Sequence, residues 1–272
     1  MKSKQANITQ LLDIMAKLRD PDGGCPWDQK QTFRSIVPHT LEEAYEVADA
    51  IEQQDYQELK GELGDLLFQV VFYAQLAKEE QLFDFNDVVE TVSEKLVRRH
   101  PHVFGQVDFA DEQAVKANWE AEKAQERAAK AGAEQVEALS VLNNIPRSMP
   151  ALTRANKIQK RCATVGFDWH TLGPVVDKIK EEIDEVLDEV HQIEPDQDRI
   201  EDEVGDLLFA TVNLARHLKQ DPEQALRRAN DKFERRFRLL EKHFLNQNKA
   251  LDQCSLEEME LIWQKVKETY ES

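Results

Sequence analysis

Punctuation is what this chain has least of. Nine glycines and nine prolines serve 272 residues, too few for the many tight turns of a sandwich or barrel. Alternating runs of β-branched residues are equally scarce, so sheet architectures are disfavoured. Cysteine is rare and odd in number: Cys25, Cys162 and Cys254 stand far apart, without metal-type spacing. This argues against a disulfide framework or a zinc site and for a reducing, cytoplasmic setting. Residues Met1 to Asp13 lack the apolar core of a signal peptide, and no stretch approaches the ~18 consecutive apolar residues of a membrane span. Basic charge is in deficit too: 35 Lys+Arg against 53 Asp+Glu leave a formal net charge of -18. Such a chain repels a nucleic-acid backbone overall, so no polymeric nucleic acid and no membrane are expected as partners. A small phosphate-bearing ligand stays open, because a bound cation inverts the local field.

What is abundant is charge in helical register, with 32% Asp, Glu, Lys and Arg. Leu41, Ala44, Tyr45, Ala48 and Ile51 follow the i, i+3, i+4 rule, as do Leu59, Leu63, Leu66, Leu67, Val70 and Ala74. The first of these helices is expected to begin at Pro38 to Thr40, with Thr40 as cap and Glu43 three residues on. A third helix is expected from Phe85 to Leu96, capped by Asp84 or Asn86. The fold class is therefore all-α, built as small helical bundles.

The chain also repeats itself. Glu62-Leu63-Gly64-Asp65-Leu66-Leu67-Phe68 returns as Glu203-Val204-Gly205-Asp206-Leu207-Leu208-Phe209. Upstream of each copy stands Glu-Glu-x-x-Glu, at Glu42-Glu43 with Glu46 and at Glu181-Glu182 with Glu185. Downstream, Lys95, Arg98 and Arg99 share their spacing with Lys232, Arg235 and Arg236, and Trp119 with Lys123 matches Trp263 with Lys267. Two modules are expected, over 1–122 and 150–272, joined by an Ala/Glu/Lys-rich linker over 123–149 that is either a helical extension or a semi-rigid spacer. Asn143-Asn144-Ile145-Pro146 reads as a turn, and Pro150 opens the next helix.

Residues three or four apart share a helix face. Two facing helices would bring Glu43, Glu46, Glu62 and Asp65 together in the first module, and Glu182, Glu185, Glu203 and Asp206 in the second. At ~4 Å each like-charge pair repels by about 1 kcal/mol in water and about 4 kcal/mol at an effective dielectric of 20. Such a cluster needs a cation, and an all-oxygen set suits Mg²⁺ or Mn²⁺. A single acidic motif is usually a solvated face, but recurrence of the motif with its apolar neighbours favours a metal site. Gly64 and Gly205, inside helices, suggest close approach of another backbone or a ligand. The basic triads suit phosphate oxygens. Trp119 and Trp263 read as core or interface residues that could also stack on a base, and Trp27 and Trp169 as anchors.

These motifs resemble the MazG family of nucleoside triphosphate pyrophosphohydrolases. The resemblance rests on the acidic motifs together with Cys25-Pro26-Trp27-Asp28, Arg98-Arg99-His100-Pro101-His102-Val103-Phe104 and Ile145-Pro146-Arg147-Ser148, in that family's order and in tandem. It implies the all-α NTP pyrophosphatase fold, related to dimeric dUTPases and phosphoribosyl-ATP pyrophosphohydrolases. It also implies hydrolysis of NTPs and dNTPs to the monophosphate and pyrophosphate, broad base tolerance, Mg²⁺ dependence and homodimerisation. Carried over by position, the eight carboxylates named above are metal ligands. Lys178, Lys232, Arg235, Arg236 and Trp263 contact the nucleotide, and Glu182 or its neighbour Glu181 positions or deprotonates the attacking water. Lys178 precedes Glu182 by four residues, whereas His39 holds that place before Glu43; a lysine reaches a triphosphate better than a neutral imidazole, which favours the second module as the main site. The alternative is a nucleotide-sensing or partner-binding helical module without turnover.

Overall fold

In a computed structural model of the chain, residues 7–130 and 140–270 are described, and every regular element among them is a helix. The chain divides into two compact units, 1–130 and 131–272. The first contains α1 (Ile8–Leu18), a 3₁₀ turn (Asp28–Lys30), α2 (Phe33–Glu52), α3 (Tyr56–Glu79), α4 (Phe85–Arg99), the short α5 (Pro101–Phe104) and α6 (Glu112–Lys130). The second contains α7 (Ala151–Ala163), α8 (Leu172–Val190), α9 (Gln197–His217), α10 (Pro222–Asn246), a 3₁₀ turn (Leu251–Gln253) and α11 (Leu256–Tyr270).

The neighbours repeat as the sequence does. In the first unit α3 packs on α1, α2 and α4, and α4 on α6. In the second α9 packs on α7, α8 and α10, and α10 on α11. Each unit is thus organised around one acidic hairpin, α2–α3 or α8–α9, because a short connection between packed helices folds them back on each other. Three residues join α2 to α3: Gln54 takes a left-handed φ of 57°, and the Asp55 carboxylate caps the next helix by accepting from the N–H groups of Gln57 and Glu58. Asp196 caps α9 by the same device.

One helix start differs from its expectation. α2 begins not at Thr40 but after Thr32, whose hydroxyl accepts from Ser35 N while Ser35 Oγ accepts from Thr32 N. That reciprocal cap, with Ile36 buried in the core, carries the helix through Pro38 despite the missing N–H. Thr40 Oγ1 instead hydrogen-bonds the Ile36 carbonyl and the Tyr73 hydroxyl. α4 begins after Asp84, which caps it by a second capping box.

Met15, Ile36, Val71, Phe72 and Leu76 form the first core, with Phe33, Phe68, Tyr73 and Phe85 packed around it. Leu240, Phe244, Ile262 and Val266 join α10 to α11, with Trp263 packed alongside. Full burial of a side chain of this size contributes roughly 1.5–3 kcal/mol. Of the expected linker, residues 123–130 continue α6, 131–139 lie outside the described residues, and 141–144 form the turn, with Asn144 at a φ of 63°. The three cysteines are free thiols. Among the described residues no helix is long and apolar enough to cross a membrane. A Cβ added at Gly64 or Gly205 would meet nothing within 4 Å, so the expected close approach of another backbone is not made among the described residues.

Candidate active site

The hairpins gather the carboxylates. In the first, one oxygen from each of Glu43, Glu62 and Asp65 lies within 4.8 Å of the others. Burial first, then Asp65 and Glu46, raises the Glu43 carboxyl above its ordinary value. Burial and Glu46 do the same to Glu62, so Glu46 belongs to the same field although it is not within the closest group. In the second hairpin Glu182, Glu185 and Glu203 meet within the same 4.8 Å. Glu185 is raised by burial and by its hydrogen bond with Glu182, against the opposing pull of Lys178. Asp206 lies one helical turn from Glu203 and shares a cleft with Glu182 and Lys178.

Glu182 is 4% exposed, and its Oε2 is buried without a hydrogen-bond partner. Its other oxygen, Oε1, takes Lys178 Nζ at 2.8 Å, and the same ammonium reaches Glu181 Oε1 at 2.7 Å. A buried carboxylate with one oxygen that has no donor, clustered with two more carboxylates, fits a hard cation with oxygen ligands. Glu181 itself is exposed.

A cavity of about 610 Å³ opens beside this cluster. Lys178, Glu182 and Asp206 line it, together with Phe167, Trp169, Phe209, Gln159, Asn213 and Arg216. Trp169, expected to be an anchor, is 42% exposed and forms part of this wall. Lys232, Arg235, Arg236 and Trp263 lie on α10 and α11 and do not line the cleft. Trp263 tilts against Phe233 at 5.1 Å between ring centroids and packs on the α10–α11 core.

The matching face of α3 in the first unit carries larger side chains. Gln69 and Phe72 stand where α9 has Ala210 and Asn213. Phe72 is 1% exposed in the core, and Gln69 Nε2 points to Glu43 Oε1 at 3.5 Å. The basic pair of α4 is also engaged. Arg98 pairs with Glu122 at 3.4 Å and with Glu126, and Arg99 pairs with Glu126 at 2.6 Å, both partners coming from α6. Those contacts hold the Glu126 carboxyl below its usual range, Arg99 contributing most. Trp119 donates its indole N–H to the Arg99 carbonyl at 2.8 Å, an interhelical role rather than a stacking one.

Sequence reasoning passed over Gln159, Phe167, Asn213 and Arg216. A signal did exist: the repeated stripe reads Leu-Leu-Phe-Gln-Val-Val-Phe over 66–72 but Leu-Leu-Phe-Ala-Thr-Val-Asn over 207–213. A small and a polar residue replacing two large ones on a buried face mark a cavity.

Fold and site together define a tandem all-α protein with two acidic metal-type clusters, one of them beside a cleft of about 610 Å³. Comparison with known proteins narrows that class. The profile of the MazG nucleotide pyrophosphohydrolase domain matches twice, over residues 31–104 and 171–239, which enclose both acidic hairpins. The nucleoside triphosphate pyrophosphohydrolase of Escherichia coli K12 is 58% identical over 96% of this chain and 97% of its own length. The nucleoside triphosphate pyrophosphohydrolase/pyrophosphatase MazG of Thermotoga maritima is 41% identical over 98% of each chain. A nucleoside triphosphate pyrophosphohydrolase of Mycobacterium tuberculosis is 34% identical over 60% of this chain and 48% of its own. The chain belongs to the MazG nucleotide pyrophosphohydrolase family.

Proposed function

We propose that this chain hydrolyses nucleoside triphosphates, ribo and deoxy, to the monophosphate and pyrophosphate, with Mg²⁺ and with the second unit as its main site. The observation that carries the reading is that Glu182, with a buried Oε2 that has no hydrogen-bond partner, meets Glu185 and Glu203 at the edge of an open cleft. Glu182, Glu185, Glu203 and Asp206 would hold the ion, and Glu43, Glu46, Glu62 and Asp65 would hold one in the first unit. Bound Mg²⁺ supplies neutralisation of the triphosphate oxygens and acidification of the attacking water; Mn²⁺ suits the same oxygens.

The protein's own groups do the rest. Lys178, tied to two glutamates and held in its charged form by them, swings its ammonium onto the phosphate chain. Lys232, Arg235 and Arg236, with Trp263 behind them, approach the nucleotide from α10 and α11. Glu182, helped by Glu181, orients the water and accepts its proton. The water oxygen bonds to the α-phosphorus, the α–β bridge bond breaks, and pyrophosphate leaves with the bond's electron pair, its charge met by the lysine and arginines.

A second copy completes the assembly in this proposal. Leu41, Tyr45, Leu63 and Leu67 on the first hairpin, and Ile183, Leu187 and Leu208 on the second, are each more than 40% exposed. Apolar residues at i, i+4 spacing, left in water on the acidic hairpins, suit burial against another chain. Light scattering after size exclusion should give twice the chain mass; a monomer at all concentrations removes this part. For the activity, the chain is incubated with mixed NTPs and Mg²⁺, with and without EDTA. Pyrophosphate release that EDTA abolishes supports the proposal, and its absence under both conditions leaves a nucleotide-sensing module.

A further inference from the structure

Two amides face the cleft, and each has its orientation fixed by a partner of one kind only. Asn213 is 8% exposed. Its Oδ1 accepts from Arg216 Nε at 3.0 Å and Nη2 at 2.7 Å. A guanidinium only donates, so the Asn213 oxygen must turn toward it and the NH₂ group must turn away. That NH₂ makes no hydrogen bond to any described residue. Arg216 is itself clamped by Asp168, at 2.9 Å through Nη1 and 2.5 Å through Nη2, and His217 Nε2 lies 3.0 Å from the same carboxylate. Gln159 is 7% exposed; its Nε2 donates to the Phe209 carbonyl at 2.8 Å, and its Oε1 is buried with no partner. A carbonyl only accepts, so this amide is fixed as well.

Asp206, Phe209, Ala210 and Asn213 recur at i, i+3, i+4, i+7 and line the cleft. Asn213 therefore lies on the order of 10 Å along α9 from Asp206, at 1.5 Å per residue. Phe167, Trp169 and Phe209 supply apolar ring surface to the same cleft.

We propose that Asn213 is the hydrogen-bond donor by which the site recognises a nucleobase: its NH₂ group bonds an acceptor on the base edge, while Arg216 and Asp168 hold the amide in that sense. Gln159 Oε1 offers an acceptor to a base N–H. This rests on the hydrolase reading above and names the end of that same site which takes the ring. A wall with one donor and one acceptor matches any base that carries an acceptor beside a donor. It recognises a nucleobase as such and selects weakly among the bases.

The test compares the whole protein with N213D, which keeps an oxygen for Arg216 but replaces the donor by an acceptor. Initial rates are measured on several NTPs and on ribose 5-triphosphate, which has no base. KM for the NTPs should rise about tenfold, the effect of one lost hydrogen bond at a desolvated partner. Turnover at saturation and all constants for ribose triphosphate should change less than about twofold. Asn213→Ala, which removes both oxygen and NH₂, carries the same expectation should N213D fail to fold. Equal losses on both substrates would assign Asn213 a merely structural role, and unchanged NTP constants would remove it from the base contact; either overturns the inference. A wild-type protein inactive on both substrates overturns the hydrolase reading instead.

Discussion

The two acidic hairpins carry nearly the same letters in different surroundings. Around the second, the lysine four residues upstream is Lys178, the α9 face offers Ala210 and Asn213, and a cleft opens. Around the first, those places hold His39, Gln69 and Phe72, and the space is core. Arg98 and Arg99 pair with Glu122 and Glu126 of α6; at the same distances from its tryptophan the sequence of α11 has Val266 and Tyr270 in place of those two glutamates. Val266 is buried in the α10–α11 core. Beside the second acidic cluster stand Lys178 and a cleft, and beside the first stand His39 and the buried Gln69 and Phe72.

The largest way to break this comparison is to remove one ligand from each hairpin in turn. Glu203→Gln should lower pyrophosphate release at least ~10²-fold, as loss of a main electrostatic contact does, while Glu62→Gln should leave more than half of it. Equal losses would make the two sites equivalent. A smaller effect is expected from Lys178→His, which gives the second hairpin the residue of the first. NTP turnover should drop about tenfold with the loss of a charge-assisted contact, measured with helicity by circular dichroism unchanged.

These predictions rest on features of unequal legibility. The helices, their pairing and the acidic clusters could be read from the sequence because apolar residues at 3.6-residue spacing and a duplicated motif report one face of one helix. The start of α2 could not, since Pro38 looks like a boundary until burial of Ile36 and the Thr32–Ser35 cap are seen to outweigh it. The cleft was hidden for a similar reason. Gln159, Phe167, Asn213 and Arg216 come from three segments, and only packing of α7 on α9 brings them together. The pairing of Arg98 and Arg99 with α6 was likewise a matter of tertiary contact, as spacing alone made them equivalent to Arg235 and Arg236.

Asp168 allows a test by pH. Hydrogen bonds from Arg216, joined by His217, hold its carboxyl below the usual carboxylate range, so the folded chain binds fewer protons there than the unfolded one. The stability this brings is complete above the unfolded value near ~3.9 and is lost as pH falls below it toward the depressed folded value. Urea unfolding should show Asp168→Asn less stable by roughly 1–2 kcal/mol at pH 7, with the gap narrowing from pH 4 to pH 3. A gap independent of pH would mean the ion pair is not its source. The smallest effect is expected in the first unit. Glu126→Gln should cost about 1 kcal/mol or less, as for other half-exposed ion pairs, and leave NTP turnover within about twofold. A large fall in turnover would show that the first unit's arginines serve the reaction as they stand.

The most direct measurement is a titration with Mn²⁺ in the presence of a non-hydrolysable nucleoside triphosphate, with the free-ion electron paramagnetic resonance signal followed for the wild type, Glu62→Gln and Glu203→Gln. Nucleotide-dependent ion binding should persist in the wild type and in Glu62→Gln and disappear in Glu203→Gln. Nucleotide-dependent binding that survives in Glu203→Gln, or none in the wild type, would contradict the placement of the active site between α8 and α9; ion binding to the first hairpin that does not depend on nucleotide would not.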